Sequence, residues 1–147
     1  MGFVRTVLAA SLAGVVSGIL FLGVGLRLAL AGLALGVGLS TNLSTRGMIE
    51  AVLAGAFLGW VGGLVLALLG WLRGTVDRTT GGIAGLVTFG SMFVFFLGIG
   101  RTDFSQPISF VSFSVIAIAF LAYGIGASVL LRRFRNRAAD GDPAGDG

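Results

Sequence analysis

Residues 48–72, MIEAVLAGAFLGWVGGLVLALLGWL, decide how this chain is to be read. The stretch carries one ionisable group, Glu50, and places it in the first turn. A bilayer's hydrocarbon core is crossed by about 20 apolar residues in a helix rising 1.5 Å per residue, so this run is long enough to span. Arg73 closes the run and Gly74 follows it. A cation beside free carbonyls and a residue tolerant of the left-handed cap are what a helix C-terminus needs.

Three more runs measure up to the same length. Working back, an apolar stretch begins near Val7, and the spanning part is expected to end between Arg27 and Leu30, giving a span of about 7–29. Continued to Leu39 it would be about 50 Å long, more than the hydrocarbon thickness, so residues 28–39 are expected to tilt, break or lie at the interface. The segment STNLSTR over 40–46 separates it from the span at 48–72. Working forward, TVDRTT over 75–80 leads into a third span at about 82–99, with Thr79 or Thr80 as candidate N-cap. Pro107 suits the first turn of a fourth span at about 108–131. From Arg132 the sequence turns polar, RRFRNRAADGDPAGDG, and residues 136–147 are expected to be a disordered tail. A cleavable signal peptide competes for the first run, but that run exceeds the usual apolar core of a leader and precedes no soluble domain.

Composition agrees with the runs. Of 147 residues, 56% are hydrophobic and 11% charged, and mean hydropathy is +1.03, more apolar surface than a water-soluble chain can bury. The net charge of +4 comes entirely from arginine, since there is no lysine. The arginines stand at the ends of apolar runs, so topology accounts for them and nucleic acid is not expected as a partner. With the N-terminus inside, Arg5, Arg73, Arg78, Arg132, Arg133, Arg135 and Arg137 face the cytoplasm, and Arg27, Arg46 and Arg101 face outward. The positive-inside rule therefore favours both termini in the cytoplasm. Absence of Cys and His removes disulfides, thiol chemistry, the usual metal and haem ligands and the commonest general base.

Glycine is the most informative residue type, with 26 of them, largely inside the runs. Small residues four apart let helices approach closely in lipid, where the hydrophobic effect does little to join them. Gly55, Gly59 and Gly63 form such a stripe on the second span, and Ala10, Gly14 and Gly18 on the first. The two stripes are expected to make the tightest contact. Arg27 and Glu50 both fall at the outer boundary and are expected to pair, or to share a polar pocket with Arg101 and Asp103. Snorkelling and the helix dipole explain the same two residues without a pair.

Thr88 and Ser91, and Ser109, Ser112 and Ser114, can bond the carbonyl a turn back or reach a neighbouring helix. No carboxylate lies mid-span, so a proton relay has no carrier. Phe89, Phe93, Phe95, Phe96, Phe110, Phe113 and Phe120 are packing or lipid-facing residues by default, and an aromatic stripe for an anion is the sharper alternative. Asn42-Leu43-Ser44 matches a glycosylation sequon on the outer loop.

Two resemblances rest on these residues. GVVSGILFLGVGLRL, LAGAFLGWVGGLVLALLGWLRG and FLAYGIGASVLL resemble segments of uncharacterised small four-span prokaryotic membrane proteins, a resemblance that implies the architecture and no activity. GGIAGLVTFGSMF is similar to the third helix of small fluoride channels through Thr88, Phe89, Ser91 and Phe93, and implies ion passage. The chain departs from those channels in lacking an Asn in the second span and in reading Val-Thr-Phe-Gly where they have Thr-Thr-Phe-Ser.

The expected fold class is thus an all-α integral membrane protein, a four-transmembrane-helix bundle with Gly-rich packing and both termini cytoplasmic. The expected role is a non-enzymatic accessory or interaction component of the cell membrane, without cofactor or metal. Its expected partners are the lipid bilayer and either a second copy or another membrane protein. A small channel or transporter subunit is the alternative.

Overall fold

A computed structural model describes residues 3–38, 43–98 and 107–140. Among these the chain is helical, with no strand. The elements in order are α1 (Phe3–Gly18), a π-helical segment (Ile19–Gly25), α2 (Leu26–Gly36), α3 (Thr45–Arg73), α4 (Arg78–Gly98) and α5 (Pro107–Asp140). Three stretches are long and apolar enough to cross a membrane: Val4–Gly36, Thr45–Arg73 and Phe110–Arg137.

Of the expected accommodations for residues 28–39, a break is not seen in the first rod. It stays helical through Arg27 to Gly36, and the wider, irregular turns lie earlier, in the π segment Ile19–Gly25. Gly25 makes that widening feasible: a Cβ there would stand 2.6 Å from the Leu20 carbonyl oxygen. The Leu26 amide donates to the carbonyl of Phe21, five residues back. A π segment rotates everything beyond it relative to a regular helix. Here it lets Gly18 and Gly23 both face the same neighbour, α3.

Helix ends follow local chemistry. Ser44, in extended conformation, caps α3 by accepting from the Gly47 amide at 3.2 Å. Gly74 closes α3 with φ of 69°, a conformation that disfavours any side chain. The α4 cap lies earlier than Thr79 or Thr80: Asp77 accepts from the Thr80 amide at 2.7 Å and from the Thr80 hydroxyl at 2.6 Å. A carboxylate serves two donors at once and meets the positive end of the helix dipole, so Asp77 outcompetes the threonines. Helix α5 opens on Pro107 and runs to Asp140, beyond the expected helix end, because the arginines and alanines of 132–139 are good helix formers and the cations suit its C-terminal dipole.

Rod α1–π–α2 lies against α3 and α5, while α4 lies against α5 and α3. The interior holds small residues, Ala10, Ala13, Ala67, Ala84 and Ala127, with Leu66, Phe120, Tyr123 and Leu131, and the hydroxyls of Ser17, Thr80, Thr88 and Ser128. Large apolar side chains point the other way: Leu8, Leu12, Leu53, Phe57, Trp60, Leu68, Trp71, Leu86 and Ile118 are all exposed. A soluble domain rarely shows contiguous apolar surface of that extent.

Candidate functional site

The most closely built region is the junction of α1, α3 and α5. Gly14 and Gly59 face one another reciprocally, each lying where its Cβ would strike the other's carbonyl oxygen. One turn away, a Cβ on Gly55 would come within 2.7 Å of the Gly18 carbonyl oxygen and 2.6 Å of the Gly23 amide nitrogen. Gly63 closes on Ala10, whose carbonyl oxygen would be 2.5 Å from an added Cβ. The two stripes therefore lie backbone on backbone, a spacing at which weak Cα–H···O contacts add to dispersion.

Tyr123 ties this seam to α5. Its hydroxyl donates to the Gly59 carbonyl at 2.8 Å, and its own carbonyl accepts from the Ser17 hydroxyl at 2.8 Å. Both side chains are fully buried. Gly62 makes room for the ring: a Cβ there would lie 2.8 Å from Tyr123 Cε1. Gly126 does the same for Ser17 Oγ and the Phe21 ring, each 2.8 Å from where its Cβ would be. Tyr123 was not singled out in the sequence. The signal was available in composition, since it is the chain's one tyrosine and a phenol inside an apolar helix needs a partner. A second small-residue seam, Gly81 and Gly85 of α4 against Gly124 and Ser128 of α5, was missed for the opposite reason: its residues hide among many glycines.

The candidate ion path looks different at atomic distance. Thr88 donates to the Ala84 carbonyl at 2.8 Å, Ser91 to Val87 at 2.9 Å, Ser114 to Phe110 at 3.0 Å and Ser128 to Ile125 at 2.8 Å. These hydroxyls serve their own helices. Phe89, Phe93, Phe113 and Phe120 pack on one another, with ring centres 5.0 Å apart for Phe89–Phe113 and Phe93–Phe113 and 5.5 Å for Phe89–Phe120. Phe93 and Phe113 meet edge to face, and the other pairs in the cluster are tilted or stacked. Ser109, Phe95 and Phe96 have side chains outside the described residues.

Of the four polar residues assigned to the outer end, Arg101 and Asp103 lie outside the described residues. Arg27 reaches α3 at Gly47, where an added Cβ would stand 2.8 Å from its Cζ. Glu50 sits one turn further along the same helix, and its ion pair, at 3.0 Å, is with Arg46 four residues before it. Four residues apart on one helix the two side chains are neighbours, although a cation preceding the carboxylate is the weaker order and the pair is exposed. Arg27 also borders an open groove of about 370 Å³ lined by Leu22, Leu26, Leu30, Leu43 and Ala51, and Glu50 is not part of that lining. Asn42 lies outside the described residues.

At the opposite end, Arg132 Nε donates to the Val76 carbonyl at 2.6 Å, fixing α5 to the turn between α3 and α4. In that turn the Thr80 hydroxyl, the Thr80 amide and the nearby Arg73 hold the Asp77 carboxyl below the usual carboxylate range. Among the described residues no three carboxylates gather as metal ligands would. The chain matches no family model, no curated protein and no solved structure.

Proposed function

We propose that this chain is a multi-pass integral protein of the cell membrane with four spans and cytoplasmic termini, acting as a non-enzymatic accessory or interaction component. The observation that carries the reading is the inverted distribution of side chains. The buried set is mostly small residues and hydroxyls around Leu22, Leu66, Phe120, Tyr123 and Leu131, while most of the large apolar side chains, both tryptophans among them, are exposed. In water that arrangement would forfeit roughly 25 cal/mol for each Å² of apolar surface left exposed, and in lipid it carries no such cost.

The fourth span is α4. Its 21 residues correspond to about 31 Å at 1.5 Å per residue, close to the hydrocarbon thickness. What the interior holds is consistent with the accessory reading. Its hydroxyls are committed to carbonyls, its rings to one another and its glycines to backbone contact. That inventory holds helices together, and it favours a dry bundle over a hydrated path.

The test is purification from native membranes in mild detergent, with reconstitution of the same preparation into liposomes. The reading expects a defined membrane-protein partner, or a second copy, to co-purify, and expects no flux across a panel of small ions. Selective flux without a partner would overturn the accessory role.

A further inference from the structure

The end of the bundle where α1 and α4 begin and α3 and α5 finish collects Arg5, Arg73, Arg78, Arg132, Arg133, Arg135 and Arg137. Asp77 is the one carboxylate whose side chain is described there, and it is occupied in capping α4. A groove of about 310 Å³ opens into this basic end. Thr6 and Val7 form one wall, Gly70, Trp71 and Gly74 another, and Arg135 stands at the rim. Ala67 and Val76 complete the lining, and the Val76 carbonyl accepts the bond from Arg132 that fixes α5 to the turn beside the groove. Arg135 is the cation in the lining, and Arg5 and Arg73 lie at the same end of the bundle. Trp71 is 67% exposed.

We propose that this groove binds the headgroup of an anionic phospholipid drawn from the surrounding bilayer. The lipid phosphate lies against the Arg135 guanidinium, and the glycerol and upper acyl carbons lie along Val7 and Trp71. Guanidinium offers a planar fork of donors that matches phosphate oxygens two at a time. A half-apolar lining beside that cation suits an amphiphile and gives a soluble polyanion little to hold. Trp is at home at headgroup depth, and basic pockets between the ends of membrane helices are where acidic headgroups settle. The inference rests on the membrane reading but not on which face is cytoplasmic.

The experiment places the full chain in nanodiscs of equimolar dioleoyl phosphatidylglycerol and dioleoyl phosphatidylcholine, releases it gently, and counts retained lipids by native mass spectrometry. The wild-type protein is expected to retain phosphatidylglycerol over phosphatidylcholine by about fivefold, what one arginine near an anionic surface supplies. Arg135→Gln is expected to bring the ratio close to one, Arg135→Lys to keep part of it, and Arg46→Gln, at the other end of the bundle, to leave it unchanged. Arg135 is exposed, so its variants should fold, and a single gel-filtration peak in phosphatidylcholine nanodiscs verifies that. Equal retention of the two lipids by the wild type, a preference surviving in Arg135→Gln, or an equal loss in Arg46→Gln would each overturn the site. A chain that stays soluble without detergent would defeat the membrane reading before any lipid is counted.

Discussion

Gly59 does two jobs that no larger residue could combine. Its missing side chain admits the backbone of α1, and its carbonyl receives the Tyr123 hydroxyl. Gly59→Ala forces a methyl into backbone atoms that cannot swing aside, and overpacking of this kind destabilises by about 1–3 kcal/mol. Gly32 and Gly90 meet nothing within 4 Å of an added Cβ, and alanine there should be neutral or stabilising by up to about 1 kcal/mol. Thermal unfolding in one detergent should therefore separate the two classes, and equal behaviour would contradict the seam. Tyr123→Phe keeps the ring and deletes one interhelical hydrogen bond, so a loss of about 1 kcal/mol is expected by the same assay. Asp77 gives a pH signature. Its folded carboxyl titrates below the unfolded value, so its contribution to stability is present above the unfolded pKa of about 3.9 and fades as pH falls through the lower folded value. The melting temperature of Asp77→Asn should lie below wild type at pH 7 by a margin that is constant down to about pH 5 and shrinks in stronger acid. At this scale the glycine stripes could be picked out in sequence because spacing alone marks them. Tyr123 and the ion-pair partner of Glu50 could not, since both depend on which atoms tertiary packing brings within 3 Å.

At the scale of elements, glycine and proline boundaries were easier to read than polar caps. Gly74 after Arg73 and Pro107 before an apolar run each have one natural use, whereas at the start of α4 Thr79 and Thr80 were the candidate caps and Asp77 was overlooked. The carboxylate prevailed through its two donors, a competition that propensity alone does not resolve. The π segment had no signature in sequence, because Ile19–Gly25 is as apolar and glycine-rich as its flanks. Its reason is tertiary: it aligns Gly18 and Gly23 on the same face of α3. Gly25→Ala is expected to disturb that alignment, since the new Cβ would meet the Leu20 carbonyl. A melting point lowered by several degrees (order 1 kcal/mol) relative to Gly32→Ala is the expected result, and equal melting points would show that the widened turns are incidental.

For the whole molecule, composition and run length pointed to helices in lipid without reference to any contact, because hydrocarbon offers the backbone no outside hydrogen-bonding partner and only internally bonded structures cross it. The turned-out leucines and aromatics agree with that expectation, and orientation rests on the arginine asymmetry alone. The chain's lack of cysteine makes the arrangement directly measurable. Single cysteines at Leu43→Cys, Thr75→Cys, Ser105→Cys and Asn136→Cys, probed in intact cells with a membrane-impermeant maleimide, are expected to label at 43 and 105 and to stay protected at 75 and 136 until the cells are permeabilised. Labelling of 75 or 136 in intact cells, or protection of 105 alongside labelling of 43, would contradict four crossings with both ends inside.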